Sequence, residues 1–176
     1  MLPEVSPVPD QRPDETDFAT WVATRGDSLQ RFAYLVTGNA VDAPDLVQDA
    51  LARAYPRWRR LAQSGTAEAY VRKSIVNGSV SRWRKNRRLV SMAELEAYAA
   101  ATPDGSSDVD DADEAWELCR TLPARQRAAV VLRFYEDLSY AQIALILDCA
   151  EPSARSLVHR ALESLRERLN PGGDHD

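Results

Sequence analysis

The sequence predicts an all-α protein of two small helical domains joined by an acidic flexible linker. Three observations carry this prediction. Apolar residues recur at helical spacing through most of the chain, and no segment alternates apolar and polar as a half-buried strand does. Two capping boxes, Ser91-Met92-Ala93-Glu94 and Ser139-Tyr140-Ala141-Gln142, mark helix starts, because each can satisfy the free N–H groups of a first turn. Between the helical stretches lies ATPDGSSDVDDADE, a Pro/Gly/Ser break with an acidic run, which reads as a linker.

Each element has its own signal. Residues 1–17, with Pro3, Pro7, Pro9 and Pro13, read as a disordered tail. A first helix is predicted from about Thr16 to Thr37, with Phe18, Trp21, Leu29, Phe32 and Val36 on its apolar side and Gly38 as its stop. Asp42-Ala43-Pro44-Asp45 starts a second helix with an Asp cap and an early proline. It is expected to bury Val47, Leu51, Ala54 and Tyr55 and to be bent or ended by Pro56. Arg59 to Thr66 reads as a loop, and Thr66 as the cap of a third helix reaching Arg88, with Tyr70, Val71, Ser74, Ile75 and Val80 inward. These elements make a first domain over residues 18–90. After a short helix to Ala100 and the linker (91–112 in all), a second domain is expected over 113–170, followed by a tail, 171–176. Its helices run from about Asp113 to Thr121 and Pro123 to Tyr135, then form a pair broken at Asp148-Cys149-Ala150.

Composition excludes several classes. No apolar run approaches the roughly 20 residues of a membrane span, and the N-terminus lacks a secretory pattern, so a cytoplasmic protein is expected. Cys119 and Cys149 have neither metal-ligand spacing nor the number for a disulfide framework. There is no Gly-rich phosphate loop, and His159 and His175 are the only histidines. No catalytic residue, metal or cofactor is therefore expected. The net charge of −5 hides a block pattern: residues 18–90 carry +8, 91–120 carry −8 and 121–170 carry +1. Electrostatic footprints act over about 8–10 Å, so the blocks matter more than the total.

Two stretches point to nucleic acid. From Tyr70 to Arg88 the chain interleaves Arg72, Lys73, Arg82, Arg84, Lys85, Arg87 and Arg88 with Tyr70 and Trp83, a mixture of phosphate-neutralising cations and base-stacking rings. The bland reading is a solvated basic helix with both rings in the core. In the last helix, Ser153, Ser156 and Arg160 fall opposite the apolar stripe Ala154, Val158, Ala161, Leu165, with Arg155 and His159 on one flank. A short helix, a tight turn and a second helix with a polar outer face read as a helix-turn-helix. An antiparallel helix pair in some other all-α domain has the same pattern.

Taken together, DAPDLVQDALARAYPRW, AYVRKSIVN followed by WRKNRR, and LPARQRAAVVLRFYEDLSYAQIA resemble one family. It is the extracytoplasmic-function (group 4) RNA polymerase sigma factors, in wording closest to the actinobacterial SigE-like branch. The resemblance covers roughly Phe18–Arg88 and Asp113–Leu169. It implies a subunit that binds core RNA polymerase through its β and β′ subunits, recognises the −35 and −10 promoter elements, and assists melting of the latter. In the family a D-x-x-Q-[DE] face docks on β′, which here falls on Asp45, Leu46, Gln48 and Asp49. The −10 contacts fall on Arg59, Arg60, Tyr70, Arg72, Lys73, Asn77, Arg82, Trp83, Arg84, Lys85, Arg87 and Arg88. Among these, the Arg59–Ala67 segment and Asn77 form the pocket for a flipped base. The −35 reader falls on Ser153, Arg155, Ser156, His159 and Arg160. Many relatives are held by an anti-sigma factor, which this sequence neither encodes nor rules against.

Departures from the family pattern set further expectations. Asp148 stands at the turn glycine and must meet a left-handed backbone, which Asp tolerates better than most residues. Pro152 and Ala150 replace the usual glycine and capping Ser/Thr, and Leu157 replaces a common groove-facing Arg. Ser81 stands where relatives often carry Asp. Gly78, inside a helix, costs about 1 kcal/mol and is expected to mark a bend. Two other functions keep the helices but leave residues unused: a stand-alone helix-turn-helix regulator and a protein-only helical adaptor.

Overall fold

A computed structural model describes residues 15–89 and 111–169. The capping box at Ser91, the short helix after it, most of the linker and both tails lie outside the described residues. Among those described there are eight α-helices and no strand. They are α1 (Glu15–Thr37), α2 (Asp42–Ala54), α3 (Trp58–Gln63), α4 (Ala67–Leu89), α5 (Asp111–Arg120), α6 (Ala124–Val130), α7 (Tyr140–Leu147) and α8 (Glu151–Leu169). A 3-10 turn, Tyr55–Arg57, joins α2 to α3, and a π-helical turn, Val131–Tyr135, follows α6.

The first lobe packs α1, α2 and α4 around Phe32, Val36, Val47, Val71 and Ile75, all buried. Phe18 and Trp21 close one end against Trp58, with ring centroids 5.1 and 5.3 Å apart. In the second lobe α6, α7 and α8 surround Leu132, Ile143, Ala154 and Val158. The two lobes are not separate bodies. One continuous buried cluster runs from Leu29 through Ile75 to Val158, because α1 and α4 also pack on α6 and α7.

Four local expectations need correction. Arg59 to Thr66 is mostly helix: Trp58 and Leu61, one turn apart, are both buried, and that pairing drives α3. Only Ser64 to Thr66 is non-helical, with Gly65 at φ +66° ending α3. The α2 entry is capped by Asn39, whose Oδ1 accepts the Val41 N–H at 2.8 Å, while Asp42 already lies within the helix. Leu51 and Tyr55 are only half-buried. Gly78 marks no break in α4. It is the floor on which Leu46 rests: a Cβ there would lie 2.5 Å from the Leu46 methyl, so the glycine sets how closely α2 and α4 approach.

The helix-turn-helix forms as its sequence dictates. The Ser139 hydroxyl accepts the Gln142 N–H at 3.3 Å, and the Gln142 side chain accepts the Ser139 N–H at 2.9 Å. Asp148 adopts the left-handed conformation, φ 52° and ψ 58°, that a turn glycine would have taken. The Arg125 guanidinium donates to the Leu147 carbonyl at 3.0 Å, satisfying a group freed at the end of α7.

Candidate functional site

Four surfaces hold the residues singled out above. On α2, Asp45, Gln48 and Asp49 are exposed. Leu46 is not: at 2% exposure it belongs to the packing between α2 and α4, and it offers no surface to a partner. Residues 45 and 46 fall on different faces because successive helix positions differ by about 100°. The acidic row is tethered from within. Arg82 of α4 reaches Asp42 at 3.2 Å, Asp49 at 3.6 Å and Asp45 at 3.9 Å. One guanidinium thus offsets the mutual repulsion of three carboxylates on one helix face. Arg82, assigned to DNA from sequence, is half-buried beside the acidic row in this structure.

Along α4, Asn77, Arg84 and Lys85 are exposed, Tyr70, Lys73 and Trp83 half-buried. Asn77 lies between two shallow polar grooves. One is shared with Leu46, Asp49 and Arg53 of α2, the other with Arg125, Leu147 and Asp148 of the second lobe. Neither groove includes any part of the Arg59–Ala67 segment. Asn77 is ten residues beyond Ala67, about 15 Å along the helix axis. Arg59 and Arg60 are exposed on α3. The side chains of Arg87 and Arg88 lie outside the described residues.

The seam between the lobes contains residues that sequence inspection missed. Arg127, 7% exposed, donates to the Val36 and Thr37 carbonyls at the end of α1, each at 2.9 Å, and to the Arg120 carbonyl at 2.8 Å. It caps α1 with a cation at the negative end of the helix dipole. Burial pulls its pKa down to about 10, with the neighbouring Arg120 acting in the same direction. Beside it, Arg120 Nε donates to the Gly38 carbonyl at 3.2 Å, and Trp116 Nε1 to the Tyr34 hydroxyl at 3.2 Å. Farther along, Arg72 bonds Glu68 at 2.7 Å and forms an ion pair with Glu136 of the second lobe, with side chains only 13% and 8% exposed. Burial lowers the Arg72 pKa, and Glu68 opposes that shift. Arg72 is therefore a seam residue here. Its signal in the sequence was faint. The signal for Arg127 was stronger: an arginine on the same face as Ala124, Ala128 and Val131 had no solvent to point to.

On α8, Ser153, Arg155, Ser156, His159 and Arg160 are all exposed, while Ala154, Val158 and Ala161 are buried. Arg155 is held in place from two sides, by Glu151 at 3.2 Å and by the Tyr140 ring, whose centroid lies 4.4 Å from the guanidinium. His159 lies 3.2 Å from Glu163. Leu157 is half-buried against the core, so this position no longer supplies a groove contact. Cys119 is half-buried, its thiol pKa raised by burial against the lowering influence of Arg127. No group of three or more potential metal ligands occurs among the described residues, and none of their helices is long and apolar enough to cross a membrane.

A chain with an exposed polar helix face behind a left-handed turn and a tethered acidic row is matched by two family models. Sigma-70 region 2 matches residues 21–89 and Sigma-70 region 4 matches residues 112–165. The chain belongs to the extracytoplasmic-function RNA polymerase sigma-factor family. It is 35% identical over 153 residues to the RNA polymerase sigma-E factor of Streptomyces avermitilis, covering 87% of this chain and 85% of the relative. The extracytoplasmic-function sigma factor SigW of Bacillus subtilis is 26% identical, covering 89% of this chain and 90% of the relative. A solved structure of the Bartonella quintana sigma factor RpoE in complex with the anti-sigma factor NepR superposes with a TM-score of 0.66 at 25% identity. It covers 88% of this chain and 98% of that one. The alignment therefore spans both lobes.

Proposed function

We propose that this sigma-family chain works as a promoter-specificity subunit in the cytoplasm. It docks on core RNA polymerase through Asp45, Gln48 and Asp49, reads the −35 element with α8, and engages the −10 strand through α4. It catalyses no reaction itself. The observation that carries the reading is the outer row of α8, five polar side chains exposed together on a helix whose buried residues fix its orientation. Arg155 and Arg160 suit guanine edges or phosphates, while the serines and His159 can bond to bases in the major groove. Support for polymerase docking comes from the exposed carboxylates of α2, which stand out from an otherwise basic lobe and are held in a fixed arrangement by Arg82.

Transcription of a fragmented genomic library by purified core polymerase, with and without this chain, tests the proposal. Initiation at a discrete set of start sites that appears only when the chain is added is the expected result. DNA binding without core and without new start sites would indicate a stand-alone regulator. Neither DNA binding nor initiation would indicate a protein-only adaptor.

A further inference from the structure

The two arginines of the α8 outer row are held very differently. Arg160 has no ion pair or ring contact among the described residues, whereas Arg155 is braced from two sides. The Tyr140 ring of α7 lies with its centroid 4.4 Å from the Arg155 guanidinium. Glu151, one turn earlier on α8, accepts a hydrogen bond from the same guanidinium at 3.2 Å. The ring has a second anchor. Arg133 sits 5.3 Å from its centroid, donates to the Leu138 carbonyl at 3.0 Å and pairs with Asp137 at 3.7 Å. Each cation at the ring thus has its own carboxylate, which offsets the repulsion between the two.

We propose that Tyr140 is a positioning residue for −35 readout. Together with Glu151 it holds the Arg155 guanidinium in one orientation, set for a forked contact with the O6 and N7 edge of a guanine. The inference deepens the proposed reading of α8 and rests on it.

A forked contact needs the guanidinium plane aligned with the base edge, and an unbraced arginine gives up rotamer freedom to make it. Contact with a phosphate carries no sequence information and tolerates many orientations. Ordering already present in the protein is ordering that DNA binding need not supply, and it favours the base that can accept both bonds. Tyr140 supplies a flat π-face to the planar cation, which phenylalanine can reproduce and leucine cannot. Glu151 points the same way. Its carboxylate, beside a DNA-directed cation, repels phosphates and lowers affinity for every sequence alike. A group that weakens general affinity while restraining one arginine favours discrimination.

The test uses holoenzyme assembled from core polymerase and the full chain. It selects from a duplex pool randomised over its central segment, and the bound DNA is sequenced. The parent is expected to select a −35 motif with one guanine, favoured about tenfold over adenine, whose preference disappears in Arg155→Ala and persists in Arg160→Ala. Tyr140→Leu should cut that preference to about twofold and leave the other positions as they are, while Tyr140→Phe should keep it. In the Arg155→Ala background Tyr140→Leu should change no preference further, a coupling that a purely structural role would not produce. Glu151→Ala should lower the same preference about threefold and raise total binding. An unchanged guanine preference in Tyr140→Leu, a loss spread evenly over the motif, or an equal loss in Tyr140→Phe would each overturn the proposal. If Tyr140→Leu fails to fold, Glu151→Ala decides, and an unchanged preference there overturns it. Arg155→Ala with the parent's motif intact would overturn the proposal alone. A parent holoenzyme that selects no motif would overturn the reading of α8, and the proposal with it.

Discussion

The two arginine-bearing helices α4 and α8 carry similar side chains and live in different surroundings. On α8 the polar row faces solvent, with Arg155 61% exposed. On α4 two of the cations face protein, Arg72 13% exposed between two glutamates and Arg82 spread over three aspartates, while Arg84 and Lys85 are exposed. The difference lies in the chain's topology. α8 follows a tight turn at the surface and packs through one narrow stripe. α4 lies between α1, α2, α6 and α7, so its circumference is shared among partners. A cation run is therefore a DNA surface only where the fold leaves it room. In this structure the α8 row is presented, and Arg72 and Arg82 of α4 are engaged.

That contrast can be broken by mutation, beginning with the largest effect. Arg127→Ala should destabilise the chain by about 3 kcal/mol, because it leaves the Val36 and Thr37 carbonyls unpaired beside a cavity. Arg160→Ala on α8 should shift stability by less than about 0.5 kcal/mol. Urea unfolding of both variants makes the comparison, and equal shifts would erase it. Gly78→Ala should cost about 1–2 kcal/mol despite the better helix propensity of alanine, since its methyl meets Leu46. Thermal unfolding of Gly78→Ala and of the Gly78→Ala/Leu46→Ala pair checks this. The double variant should lose less than the two single losses combined. Ser139→Ala should cost about 1 kcal/mol by removing one half of the capping box. It should also weaken −35 binding, measured by anisotropy on a duplex from a mapped promoter, no more than the stability loss explains. The reader row itself is untouched.

Much of this was legible in the sequence, where the signal was local. The Ser139 box and the outward row of α8 follow from spacing within a few residues. The exposed carboxylates of α2 followed in the same way. The left-handed Asp148 was implied by the family resemblance, in which that position is a turn glycine. Features set by long-range packing were not legible. Leu46 was placed on a docking face because a family motif includes it, yet its direction is fixed by Gly78 on a helix thirty-odd residues away. Arg59 to Thr66 looked like a loop because arginines, glutamine and serine mask the single turn of burial by Trp58 and Leu61. Nothing near Arg72 and Arg82 in sequence announces Glu136 or Asp42 as a partner. A periodicity argument finds a face and cannot say what lies against it.

Arginine-selective labelling with phenylglyoxal, read residue by residue by mass spectrometry on the free native chain, tests the contrast most directly. Arg155 and Arg160 should be modified rapidly, while Arg72 and Arg127 should be protected at least about tenfold. Reactivity at Arg72 and Arg127 equal to that at Arg155 and Arg160 in the free chain would contradict the account.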